Sequence, residues 1–365
     1  MSKKDFINQT IVRQCVGIDI AKDSFVACVS YKSTTDEIVV NSTKKFDNTA
    51  AGFEKLEQWV CHFTSADFPL LYVMEATGVY YEALAYHLLE CGKAVSVQLA
   101  RNVKFFMQSH NIKSKTDDID SQAIARMGLE RKLGLWQPGS SRMSQLKHLC
   151  RERNMLQGEY TSVKNQLHAW NHSYKPDPKG IRRFEARLAL IKAQILDIEQ
   201  DLQEITKEDE ELNLRISNVC TIKGIGFISA IAIIAETNGF ALFKNKRQLI
   251  SYCGYDVVRK QSGNSESKTS ISKKGNKNVR KALYFPATAA ARFNPQMKKM
   301  YEKIHQKTAI KMKGNVAVQR KMLVLVYTIF KSNIPYDENF QYKKEEHDKS
   351  LSAKNKAETI LNCPA

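Results

Sequence analysis

Four carboxylates in the first third of the chain have the surroundings of a metal-binding site. Asp19 stands inside the apolar run Val16-Gly17-Ile18-Asp19-Ile20, and Glu75 directly follows Leu70-Leu71-Tyr72-Val73-Met74. An ionised carboxylate buried among such side chains is costly unless it is paired or bound to a metal. Asp117 and Asp120 are three residues apart in a segment of helical pattern, which sets them on one helix face, while Asp118 between them points elsewhere. Acids also favour a helix N-terminus; that covers Asp117 and Asp118 but neither Asp19 nor Glu75. Hard oxygen donors suit Mg²⁺, which keeps water positions open for a substrate phosphate. Two such ions about 4 Å apart polarise a scissile phosphate and steady the attacking and leaving oxygens. The expected cofactor is therefore a pair of Mg²⁺ ions held by Asp19, Glu75, Asp117 and Asp120. No His or Cys cluster with zinc-ligand spacing competes for this role.

Strand and helix patterns place these residues. Val16–Ile20, Phe25–Val29 and 37–40 read as three meander strands, followed by a helix with Phe53, Leu56 and Trp59 on one face. A buried strand at 70–74, a helix at 80–91, a strand at 94–97 and helices at 102–110 and 117–131 complete a mixed α/β unit over residues 12–135. Glu75 then sits at a strand end, where open sheets of this class bind ligands. From Leu146 the apolar spacing becomes three-four, breaks at Pro176-Asp177-Pro178-Lys179-Gly180, and resumes as heptads from Phe184 to Ile205. This predicts an antiparallel coiled-coil hairpin over 142–213, against the plainer alternative of two bundle helices. A mainly helical basic domain succeeds it over 215–333, with helices at 246–252, 276–293 and about 315–331, and residues 334–365 read as a polar, disordered tail.

Charge names the partner class. The chain has 365 residues, 56 Lys plus Arg against 38 Asp plus Glu, and a formal net charge of +18. Between Arg259 and Lys331 there are 18 basic residues and only two acids, Glu266 and Glu302. A one-sided block of this kind suits a phosphate backbone; the alternative is a merely solvated basic face. Lys273, Lys274, Lys277, Arg280 and Lys281, with Arg259 and Lys260 upstream, are the expected phosphate contacts. Lys223, Gly224 and Gly226 form a Gly-Ile-Gly turn before an apolar helix, a pattern that brings backbone N–H groups near a phosphate or simply permits close helix packing. The eight cysteines form no Cys-x-x-Cys pair and read as reduced, mostly core residues. The N-terminus has no signal-peptide pattern and no run is long enough to span a membrane, so a bacterial cytoplasmic protein associated with the nucleoid is expected.

Several of these segments together resemble a known family. Gly-Ile-Asp-Ile-Ala-Lys, Glu-Ala-Thr-Gly and Lys-Thr-Asp-Asp-Ile-Asp-Ser-Gln-Ala look like the Asp-Glu-Asp-Asp domain of insertion-sequence family one-hundred-and-ten transposases. Gly254, Ser262-Gly263 and Ile271-Ser-Lys-Lys-Gly-Asn-Lys-Asn-Val-Arg-Lys-Ala-Leu283 look like its C-terminal transposase domain. The chain departs from the pattern at Ser121, usually Ala, and at Gly254-Tyr255-Asp256-Val257, usually Gly-Leu-x-Pro. The resemblance implies a ribonuclease-H-like, RuvC-like N-terminal domain. It also implies a serine nucleophile in the C-terminal domain, for which Ser262 is the candidate, and guidance by a bridge RNA that supplies sequence specificity by base pairing. Gly263 allows close backbone approach, and Arg259 and Lys260 precede Ser262; Ser265, Ser267, Ser270 and Ser272 lie nearby as rival residues in the same polar loop.

The resulting expectation is a DNA transposase or site-specific recombinase that cuts and rejoins strands. Its partners would be element-end and target DNA, a bridge RNA and further copies of itself, as a dimer or tetramer. A metal-only nuclease of junction-resolvase type, a DNA invertase and a non-catalytic nucleic-acid-binding protein are the competing readings.

Overall fold

The computed structural model describes residues 11–112, 114, 116–259, 261–262, 265–266, 269–308 and 310–338. The chain divides into two compact units, Met1–Pro138 and Gly139–Ala365.

The first unit is a five-stranded mixed sheet in the order β3-β2-β1-β4-β5. Strands β1 (Ile11–Ile20), β2 (Ser24–Ser33) and β3 (Ile38–Asp47) form an antiparallel meander. Strands β4 (Leu70–Glu75) and β5 (Ala94–Gln98) add in parallel on the other side of β1, each reached through a helix: α1 (Ala50–Phe63), then α2 (Glu82–Glu90). Helices α3 (Ala100–Ser109) and α4 (Asp117–Glu130) close the unit. Strand β3 runs seven residues beyond the expected end at 40, because its later half, Asn41-Ser-Thr-Lys-Lys, lies on a sheet edge where polar side chains are tolerated.

Strand periodicity sorts this unit into two cores. Val16, Ile18 and Ile20 face one side with Tyr72, Met74 and the buried faces of α1 and α2. Cys15 and Val73 face the other, against Val103 and Phe106 of α3 and Ile124 and Met127 of α4. Helix α4 lies very close on that second side. A Cβ on Gly17 would fall 2.1 Å from the Ala125 N and 2.2 Å from the Ser121 O, and one on Gly128 would fall 2.4 Å from the Cys15 Sγ. Glycine is required at Gly17 because helix backbone occupies the space a side chain would need.

The second unit is helical. Helices α5 (Ser141–Asn171) and α6 (Pro178–Lys207) pack antiparallel: the Trp170 and Phe184 rings meet at a tilt with centroids 5.9 Å apart, Arg153 pairs with Glu199 at 2.6 Å, and Arg142 pairs with Asp209 at 2.7 Å. Asp177 caps α6 by accepting from the N–H groups of Lys179 and Gly180, and Pro178 opens it. Leu156 and Val163 meet Ile191, Ile195, Ile198 and Leu202 in the seam. The base of this hairpin is not separate from the other helices of the unit. One core runs from Leu146 to Phe330 through α7 (Glu210–Cys220), α8 (Phe227–Glu236), α9 (Lys246–Tyr252), α10 (Lys277–Phe293), α11 (Pro295–Thr308) and α12 (Lys311–Ser332). Of these, α7 and α11 are absent from the pattern-based reading, although each carries a short apolar stripe, Leu212, Ile216 and Val219 in α7 and Met297, Met300 and Tyr301 in α11, that packs on this core.

The tail expected to be disordered from residue 334 begins with a held segment. Tyr336 N donates to Thr221 Oγ1 at 2.8 Å, and Lys223 pairs with Glu338 at 2.8 Å. The remainder, 339–365, lies outside the described residues.

A buried carboxylate ties four helices of this unit together. Glu236, at the end of α8, receives Arg151 Nε at 2.7 Å and Nη2 at 3.0 Å from α5. It also accepts from Asn276 Nδ2 at 2.8 Å and Asn278 Nδ2 at 2.7 Å, at the start of α10. Tyr252 of α9 donates to the Glu236 carbonyl at 3.0 Å. Burial pushes the Glu236 pKa up, but the bonds from Arg151, Asn276 and Asn278 and the Arg151 charge outweigh it, leaving the pKa below its ordinary 4.5.

This packing makes two testable demands. Gly17→Val should destabilise the protein by about 3 kcal/mol in denaturant titration, whereas Gly158→Ala, with no atom within 4 Å of the new Cβ, should be neutral or stabilising by up to about 1 kcal/mol; equal effects would contradict the close docking. Glu236→Gln should cost about 2–3 kcal/mol at neutral pH. Since the folded pKa is depressed, that contribution is fully present above the ordinary glutamate range and fades as pH falls through the lowered value. Thermal melts of wild type and variant should therefore converge below pH 4.5.

Candidate active site

Strand parity and the docking of α4 bring the candidate carboxylates to one end of one sheet face. Asp19 is two residues beyond Gly17 and four beyond Cys15, so it faces α4. Glu75 is two beyond Val73 and faces the same way. β1 and β4 are parallel neighbours with Ile18 opposite Met74, and Asp19 and Glu75 come next on each strand. Helix α4 runs against the direction of β1, since Ser121 and Ala125 meet Gly17 while Gly128 meets Cys15. Its first turn, carrying Asp117 and Asp120, therefore lies toward the Asp19 end.

The four acids differ in exposure. Asp120 is buried at 9% exposure, Asp19 and Glu75 are half-buried, and Asp117 is exposed. Thr116 starts α4 by accepting from Ile119 N at 3.3 Å, which fixes where the two aspartates fall. Ser121 is fully buried against β1, and its hydroxyl donates to the Asp118 carbonyl at 2.8 Å. A small side chain is all this position admits, and the serine satisfies its own polar atom locally. Thr77 Oγ1 donates to Glu75 Oε1 at 3.4 Å.

The donor set fits a hard divalent cation: four carboxylates, no nitrogen or sulfur, three of them withdrawn from bulk water beside an open sheet end. A second convergence escaped the sequence. Ligand atoms of Glu57, His87 and Cys91 lie within 4.8 Å of one another, because α1 packs beside α2. Glu57 is engaged there by His87 at 2.7 Å and Lys93 at 3.5 Å. The His87–Cys91 spacing is visible in sequence; its partner from another helix is not.

Ser262 belongs to the second unit. Two short antiparallel ladders lie here, β6 (Val257–Val258) with β9 (Ser270–Ile271) and β7 (Gln261–Ser262) with β8 (Ser265–Glu266). Ser262 pairs with Ser265. Gly263 and Lys260 lie outside the described residues.

The basic residues divide by environment. Arg259, Lys273, Lys274, Lys277 and Lys281 are exposed. Arg280 is half-buried, and its Nη1 donates to the carbonyls of Cys253 at 2.7 Å, Gly275 at 3.2 Å and Asn276 at 3.3 Å, clamping the turn at Gly254, where φ is +72°. Gly224, at φ +102°, packs on α10, where an added Cβ would meet the Pro286 carbonyl at 2.8 Å. Gly226 has open space around it, and Lys223 is held by Glu338.

Comparison with known proteins agrees across both units. A transposase model of the Asp-Glu-Asp-Asp IS110 type matches residues 16–176, and a second, for the IS116/IS110/IS902 transposase family, matches residues 216–302. The chain is 29% identical over 330 residues to the pilin gene-inverting protein of Moraxella lacunata, covering 88% of this chain and 97% of that one. It is 26% identical over 306 residues to the transposase for insertion sequence element IS1111A of Coxiella burnetii, covering 76% and 78%. Among solved structures, T. thermophilus RuvC in complex with Holliday junction substrate aligns with 31% of this chain and 90% of its own, at 9% identity and a TM-score of 0.25. With both parts of the family pattern matched in order, the chain belongs to the IS110 family of transposases, enzymes that recombine DNA.

Proposed function

We propose that this recombinase cuts and rejoins DNA with a composite site, in which the carboxylates of a ribonuclease-H-like first unit act with a serine of the second. The observation that carries the reading is the gathering of Asp19, Glu75 and the Asp117–Asp120 face of α4 at one end of one sheet face. These four residues would hold two Mg²⁺ ions, which when bound polarise a scissile phosphate and neutralise its charge. Ser262 Oγ attacks phosphorus, forming a phosphoserine ester as the P–O bond to the neighbouring nucleotide breaks and that strand leaves with a free hydroxyl. Attack by a hydroxyl of the partner strand reverses the step and releases the serine, so joining needs no outside energy source. The exposed Arg259, Lys273, Lys274, Lys277 and Lys281 supply phosphate contacts that position the duplex without reading it.

Specificity is assigned to a bridge RNA, on the strength of family resemblance. Two duplexes must be held for exchange, so the working form is a homo-oligomer, with the α5–α6 hairpin as its coiled-coil interface; the exposed Leu190 and Leu196 on α6 support this. Relatives are named both for inversion and for transposition, and the chemistry serves either. No helix among the described residues is long and apolar enough to cross a membrane.

With a labelled element end, Mg²⁺ and the candidate RNA, wild type should give a protein–DNA adduct on denaturing gels. Ser262→Ala and Asp19→Ala should each lower it by at least about a hundredfold. Cleavage without an adduct, unchanged by Ser262→Ala but abolished by Asp19→Ala, would leave a metal-only nuclease.

A further inference from the structure

A cleft of the second unit opens between α10 and α12 and has a volume of about 1030 Å³. That is at the upper end of the roughly 300–1,000 Å³ range of small-molecule sites. Its floor is apolar, with Ile271, Met300, Val316 and Val324 among the lining residues. Two aromatic side chains stand on its α10 wall, Tyr284 at 41% exposure and Phe285 at 76%, edge-to-face at 5.1 Å. Large rings left this open mark an interaction surface. The rim is basic: Lys281 from α10 and Lys313, Arg320 and Lys321 from α12, all on the faces that line the cleft. No carboxylate is among the described residues lining it.

An apolar floor alone would suit a second copy or a peptide. A rim of cations with no acid argues against the lysine- and glutamate-rich surfaces this chain itself offers, and for a polyanion with flat apolar faces. We infer that this cleft holds unpaired bases of single-stranded DNA, stacked on Tyr284 and Phe285 with their phosphates on the Lys281, Lys313, Arg320 and Lys321 rim. Duplex DNA has its base faces already stacked inside the helix, so it can use the rim but not the aromatics. Strand exchange exposes unpaired bases at the crossover. The inference thus rests on the recombinase reading for why a single strand is present, but not on the serine or metal chemistry.

The test uses the full-length chain and fluorescent oligonucleotides of equal length: single-stranded DNA, duplex DNA and single-stranded RNA. Phe285→Ala should weaken single-stranded DNA about tenfold while leaving duplex within about twofold, since stacking is the interaction lost; Tyr284→Ala should do the same. Because Phe285 is exposed, its truncation leaves the core intact. A base analogue quenched by stacking should dim on binding wild type and stay bright with Phe285→Ala. Equal loss for single strand and duplex, or no loss, overturns the assignment. So does tighter, Phe285-dependent binding of RNA, or loss of self-association in its place. Ser262→Ala should bind single strands as wild type does. Failure of the adduct test with the Phe285 effect intact therefore strikes only the composite site, and the reverse strikes only the cleft.

Discussion

Helix α4 and strand β1 touch backbone to backbone at Gly17, and the arrangement of the first unit depends on that contact. A side chain at Gly17 or Gly128 would lift the helix off the sheet. With the helix seated, the first turn of α4, with Asp117 and Asp120, lies toward the end of β1 and β4 that carries Asp19 and Glu75. Bringing acids together is unfavourable, because each raises the cost of ionising the next. Packing of Cys15, Val73, Ile124 and Met127 on the same face supplies the opposing stabilisation. That end of the sheet is thus held by apolar contacts one and two turns away from it.

The second unit solves the converse problem. It carries the whole excess of positive charge, and its helices must converge without their basic residues repelling one another. The Glu236 network does this locally: one buried anion receives a guanidinium and two amides, and so joins α5, α8 and α10. Arg280 works similarly on three carbonyls. The exposed lysines stay on the surface, where a polyanion can reach them.

Charge is divided unevenly along the chain, with the excess in the second unit. If the four acids hold a divalent cation as proposed, that cation would turn a cluster that repels phosphate into one that attracts it, so metal loading and nucleic-acid engagement would be coupled by simple electrostatics.

Much of this was legible in the chain. Asp19 and Glu75 were conspicuous because acids rarely interrupt or directly end apolar strands, Asp117 and Asp120 because of their helical spacing, and the hairpin because its heptads break at Pro176-Asp177-Pro178. The polar half of β3 and the held segment 334–338 were not legible, since their stabilisation comes from neighbours distant in sequence rather than from their own pattern, whereas α7 and α11 carry short apolar stripes that the reading passed over. Nor could local sequence separate Arg280, consumed by backbone carbonyls, from Lys281 beside it, or the packed Gly224 from the open Gly226. Local pattern determines which residues alternate or recur on a face, and through them the identities of the acids and the basic block. Which faces meet, which cations are left on the surface, and that an aromatic, basic-rimmed cleft opens between α10 and α12, was decided only by tertiary packing, because each depends on atoms contributed by segments far apart along the chain.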